Sequence, residues 1–137
     1  MKLSRPAFRY VESELYNYDE TKKELEELQE DIRNSTPDMS GDVVKVGKVS
    51  SQPEAKSIQL LTNKVLVRMD RTIKAIDKAL SILGEEHNMI FELKYRQNLN
   101  WRQVVIEVPT SQDTYFRKRR ELVQMVAVQL GLISPEQ

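Results

Sequence analysis

The chain has 137 residues, 39% of them hydrophobic and 31% charged, with 21 basic and 21 acidic side chains, 4 glycines and no cysteine. That length fits one domain or a small globular unit with an extended arm, and the scarcity of glycine suits helices rather than a sandwich or barrel rich in turns. The missing thiols exclude disulfides and thiolate metal sites and fit a reducing cytoplasm. Zero net charge provides no global field for a nucleic acid, and no apolar run is long enough for a secretory leader or a membrane span.

The first element is predicted from Pro6, tolerated in a first helical turn, through Phe8, Val11, Leu15, Tyr18, Leu25, Leu28 and Ile32, which recur at threes, fours or sevens. Residues 1–34 read as one amphipathic helical arm whose outer face, ETKKELEELQED, is solvated charge and whose apolar stripe suits a partner helix. Residues 35–55 hold prolines, glycines and serines and read as a flexible linker. The valines at 43, 44, 46 and 49 lack a matching second run there and are left irregular. From Ile58 to Leu83 eight apolar positions follow threes and fours, with Gly84 as the expected C-terminal stop and Lys64, Arg68, Arg71, Lys74 and Lys78 on the other sides. EEHNMIFELKYRQ then opens a helix with acids in its first turn, and His87 beside them reads as a surface residue.

The stretch NWRQVVIEVPTSQDTYFRKRR sets strand propensity against helix signals. Asn100 with Gln103 forms a capping-box pattern, Trp101, Val104, Val105 and Val108 follow helical spacing, and no partner strand exists nearby. A short helix is therefore predicted, ended at Val108 by Pro109. Ser111 caps the next helix, which Asp113 suits electrostatically, so residues 100–130 have the pattern of a helix-turn-helix within a helical domain 56–137.

Phe116, Val123, Ala127 and Leu130 form the expected core face of the last helix. Leu122, Met125, Val126 and Val128 lie off it, calling for cover from the central helix or another subunit. Four of the last seven basic residues are consecutive, Arg117, Lys118, Arg119 and Arg120. Such a run is ordinarily a solvated face. Here it begins one turn into a capped helix, where a recognition helix carries its reading groups. The candidate DNA-binding residues are Ser111, Gln112, Asp113, Thr114, Tyr115, Arg117, Lys118, Arg119 and Arg120, with Arg102 on the short helix. Arg117 and Lys118 suit guanine edges. Arg119 and Arg120 flank the core face and would reach phosphates or pair with acids, and for Tyr115 packing outranks stacking on DNA.

These residues resemble a known family, the phage transcriptional regulators of the ArpU and RinA type. The resemblance runs from VESELYNYDETKKELEELQEDI through SQPEAKSIQLL to IKAIDKALSILGEEHNMIFELKYRQNLNWRQVVIEVPTSQDTYFRKRRELVQMVAVQLG. Its specific block is the helix ending Leu93, Lys94, Tyr95, the Trp-led short helix, the turn with Ser111, Thr114, the basic run, and Leu130 with Gly131. The resemblance implies a module like sigma factor region 4 and activation of phage late genes in the host cytoplasm, on nucleoid DNA. The expectation is an all-α protein of long helices joined by an irregular linker, with a C-terminal helix-turn-helix. Its expected partners are double-stranded DNA, host RNA polymerase, and a second copy through the long helices, with no cofactor, metal or membrane. The rival readings are a small-terminase-like packaging protein and an adaptor that holds RNA polymerase. An enzyme is the least expected class, since the chain has one histidine, no cysteine and no Gly-rich phosphate loop.

Overall fold

The computed structural model describes residues 3–35 and 52–134, with side chains placed for 3–34 and 61–134. Every regular element among the described residues is helical, so the chain is all-α, as expected. The helices are α1 (Arg5–Tyr16), α2 (Tyr18–Ser35), α3 (Gln52–Ile82), α4 (Glu85–Ile90), which runs on into a π-helical segment (Phe91–Arg96), α5 (Trp101–Glu107) and α6 (Gln112–Gln129). The valine-containing part of the predicted linker lies outside the described residues, and α3 already begins at Gln52.

The single N-terminal helix expected from periodicity is two. Ser4 caps α1, its Oγ accepting from the Ala7 N–H at 3.2 Å, and Asn17 ends it by leaving helical geometry at φ −93°, ψ 9°. Asparagine is prone to this because its short amide competes with the helix for backbone partners. Val11 and Leu15 of α1 are fully buried. Just past the break, Tyr18 is buried edge-on against Phe91, and its hydroxyl donates to Asp77 Oδ1 at 2.6 Å. Burial and the Asp77 carboxylate push the Tyr18 phenol up to about 12.

The chain forms two compact units, Met1–Asp19 with Arg71–Gln137, and Glu20–Asp70. These limits fall within α2 and α3, and α1 packs against α6 and the π-helical segment of the first unit. The apolar stripe of α3 changes character accordingly. Ile73 and Ile76 are buried, whereas Leu61 and Val65 in the other unit are exposed. On α2, Leu25 is buried and Leu28 half-buried.

Two helix ends depart from or refine the expectation. Gly84 is extended at φ −87° and acts as N-cap of α4, not as a left-handed stop. The carboxyl end of α3 is closed by the Asn88 amide, which donates to Leu80 O at 3.1 Å and Gly84 O at 2.9 Å. At the end of α6, Gly131 has φ +80°. Its N–H donates to Val128 O and that of Leu132 to Ala127 O, the paired bonds of a Schellman stop that L side chains resist. Arg71 donates to Leu130 O at 3.1 Å, placing a cation where the helix dipole favours one.

The core of the first unit is built on α6. Tyr115, Leu122, Val123, Val126 and Ala127 are all fully buried, and α6 packs against α1, α4 and α5. Leu122 and Val126, expected off the core face, are thus covered within the chain. Each such burial contributes about 1.5–3 kcal/mol. Ile90, Val104, Val108 and Tyr115 make a contiguous cluster, with Met89, Leu93, Leu99, Trp101, Val105 and Phe116 packed on it.

Candidate nucleic-acid interface

The helix signals win over strand propensity at 101–108. Asn100 Oδ1 accepts from Gln103 N at 3.0 Å while Asn100 N donates to Gln103 Oε1 at 3.1 Å, completing the capping box that the sequence predicts. Val104 and Val108 are fully buried and Trp101 and Val105 half-buried. Ile106 points out at 79% exposure, so the valines are spent on one helical face. Val108 is extended at φ −99°, ψ 108°, the geometry that Pro109 imposes on its predecessor. Ser111 then caps α6, its Oγ accepting from Thr114 N at 3.1 Å and donating to Thr114 Oγ1 at 2.9 Å. The turn between the two helices is four residues, 108–111.

This scaffold sorts the candidate contacts sharply. Ser111, Gln112, Asp113, Arg117 and Arg120 are exposed and Thr114 is half-buried. Asp113, Arg117 and Arg120, four and three residues apart, share one strip of α6. Arg102 is also exposed, its guanidinium carbon 5.2 Å from the Trp101 ring centre. Tyr115 and Arg119 do not belong to that surface. Tyr115 is fully buried, edge-on to Phe116 at 4.9 Å, and its ring packs in the core rather than on the outer face of α6. Arg119 turns inward, its Nε donating to Glu12 Oε2 at 3.0 Å while its guanidinium lies over Phe8. Lys118 is drawn to Glu86 at 3.0 Å with its side chain only 18% exposed, which ties α6 to α4. Arg117 pairs with Glu121 at 3.4 Å, but both side chains are about half exposed, so the pair is weak and exchangeable. Arg120 has no acidic partner among the described residues.

The electrostatic centre of the unit is Glu12, which the periodicity of α1 did not single out. Its Oε2 also accepts from the Tyr95 hydroxyl at 2.6 Å. Burial pulls the Glu12 carboxyl upward, but the hydrogen bonds of Arg119 and Tyr95 and the charges of Arg119 and Lys94 outweigh it, and the pKa is lowered. Deep burial, with the charge and hydrogen bond of Glu12 added to it, drives Tyr95 far above the phenol range.

His87, read from sequence as a surface residue, is buried, its Nε2 2.8 Å from Glu121 Oε1, which holds Glu121 below its ordinary value. Its four-residue steps to Phe91 and Tyr95, both buried, were a readable sign that it lies on the inner face.

The family described as "Protein of unknown function (DUF722)" matches residues 10–128, well over half of the chain. The chain belongs to the DUF722 family. The match to DUF722 takes in Glu12, the π-helical segment, the α5–α6 turn and the whole basic run. No curated protein and no solved structure matches the chain. The first unit of this DUF722 protein carries a second feature, a groove of about 310 Å³ lined by Met89, Leu93 and Asn88 and edged by Glu85, Glu92 and Glu107. Three carboxylates would repel phosphates, so this surface and the strip of Arg117 and Arg120 differ in sign.

Proposed function

We propose that this protein is a DNA-binding transcription regulator, not an enzyme, that reads double-stranded DNA through a helix-turn-helix formed by α5 and α6, the resemblance above favouring activation of phage late genes. The observation that carries the reading is the two-sidedness of α6. Its first three turns bury Tyr115 and Leu122 while offering Gln112, Asp113, Arg117 and Arg120 to solvent beyond a capped four-residue turn. A helix held rigidly by one face and presenting polar and basic groups near its N-terminus has the shape and chemistry a major groove requires. Arg117 and Gln112 read base edges in this arrangement, and Thr114 assists. Arg120 and Arg102 contact phosphates, and the exposed N-terminus of α6 at Ser111 and Asp113 sits against the backbone. A homodimer through the exposed apolar face of α3 at Leu61 and Val65 would match a two-fold operator.

The test is retention of fragments of the source genome across a salt series. Arg117→Ala is expected to cost about 1–3 kcal/mol at the preferred fragment and to relax its preference, whereas Arg120→Ala lowers binding to all fragments alike and reduces the salt slope by about one. Equal losses from both variants on every fragment would remove the reading face.

A second reading is favoured by the groove lined by Met89, Leu93 and three carboxylates, which suits a basic, apolar segment of a protein such as host RNA polymerase. In that case Glu92→Lys abolishes polymerase capture and leaves DNA retention intact. A packaging protein would instead reveal itself as a ring-like oligomer in solution.

A further inference from the structure

Between the end of α1, the π-helical segment and the starts of α5 and α6 lies an open cleft of about 440 Å³, lined by Tyr16, Lys94, Trp101, Tyr115, Phe116 and Arg119. All of these belong to the first compact unit. Its volume falls in the range of sites for small molecules.

Three properties of this cleft bear on what it could hold. The Tyr115 hydroxyl is buried with no hydrogen-bond partner among the described residues, a state native proteins mostly avoid because a desolvated donor is left unsatisfied. Lys94 and Arg119 supply two positive charges. Only Arg119 has a carboxylate partner, Glu12, so the group of three carries one net positive charge. Lys94 Nζ donates to Tyr16 Oη at 2.9 Å and lies 5.3 Å and 5.1 Å from the Tyr16 and Tyr95 ring centres, which leaves N–H groups without an acceptor, and none of the ion pairs among the described residues includes it.

The walls are aromatic and set at angles to one another. Trp101 meets Phe116 with ring centres 5.7 Å apart and planes at 49°, and Tyr16 meets Tyr95 edge-on at 4.8 Å. Such walls accept a flat ring by stacking or edge contact. The backbone around the cleft is equally uncommon. Lys94 stands on the π-helical segment, and Asn98 has φ +60°, a left-handed conformation that turns the chain into the cleft rim. Both features occur preferentially where a site has to be shaped.

We propose that this cleft binds a small planar aromatic carboxylate. The carboxylate accepts from the Tyr115 O–H and from a Lys94 N–H, the single negative charge matches the single excess positive one, and the ring packs among Tyr16, Trp101 and Phe116. Because Trp101 opens α5 while Tyr115 and Phe116 belong to α6, an occupant touches both helices. The site does not depend on the DNA-binding reading.

The chain has one tryptophan, so the indole N–H signal of Trp101 in a proton NMR spectrum reports the cleft directly. The full chain is titrated with benzoate and 2-naphthoate, with benzamide as the neutral analogue, cyclohexanecarboxylate as the non-aromatic one and inorganic phosphate as the plain anion. The expected result is a saturable shift with both aromatic carboxylates at concentrations below about 1 mM, and at least tenfold weaker binding of each control. Tyr115→Phe is expected to raise the Tm of the unliganded chain, since it deletes the unsatisfied donor, and to weaken benzoate about tenfold. Lys94→Gln weakens benzoate while leaving the far-UV spectrum unchanged. No saturable shift with either aromatic carboxylate up to about 10 mM, equal binding of benzamide, or full benzoate binding by Tyr115→Phe would each overturn the proposal.

Discussion

The two sides of α6 carry the same residue types and do opposite things. Arg119 and Arg120 are adjacent in sequence, yet Arg119 is locked to Glu12 across the unit while Arg120 is exposed and joins no ion pair among the described residues. Lys118 is halfway between them, tied to Glu86. A basic run is therefore not a unit of function. Which of its members can reach a partner is decided by where the chain has put its acids, and only the strip that includes Arg117 and Arg120 is left to do so.

The largest test of this contrast lies on the inner side. Leu122→Ala removes a fully buried side chain between α6 and its neighbours and should lower unfolding free energy in urea by about 2–5 kcal/mol. A loss below 1 kcal/mol would mean that α6 is not held as described, and the fixed outward strip would go with it. Arg119→Ala comes next, at about 2–4 kcal/mol, because it strands a largely buried carboxylate whose side chain is 17% exposed. Glu12→Ala should cost a similar amount, and the double variant should cost clearly less than the sum, a coupling that a urea double-mutant cycle measures.

Acid sharpens the same point. Glu12, through Arg119 and Tyr95 acting against burial, and Glu121, chiefly through His87, both sit below their ordinary value of 4.5 in the folded chain. The unfolded chain consequently takes up these protons first as pH falls. The stability they contribute is complete above that value and is lost as pH drops from there through the folded values. Melting temperature followed across that window should fall steeply for the parent chain and less steeply for Glu12→Gln, with Glu121→Gln intermediate because Glu121 is more exposed. Gly131→Ala, at φ +80°, should cost about 1–2 kcal/mol by forcing an L side chain into left-handed geometry. Smallest of all, Arg120→Ala should change urea stability by less than about 0.5 kcal/mol while still lowering the salt slope of DNA retention. A large stability loss there would erase the difference between the two sides.

Much of this molecule was legible in residues a few positions apart. The all-helical class, the capping box of Asn100 and Gln103, the Pro109 stop and the Ser111 cap are all interactions within a turn or two, so propensity and local hydrogen bonding determine them before any tertiary contact exists. The exposed positions of Ser111, Gln112, Asp113 and Arg117 follow from the same helical period, whereas Arg120 and Arg119, both expected to flank the core face, were separated only by the fold. What the sequence could not supply is the identity of distant neighbours. Glu12 is 107 residues from Arg119 and His87 is 34 from Glu121, and nothing in either local pattern names the partner. The burial of Tyr115, the inward turn of Arg119 and the union of α1 with the C-terminal helices depend on how several helices share one core. There, desolvation and charge pairing across the fold override the tendency of each side chain taken alone.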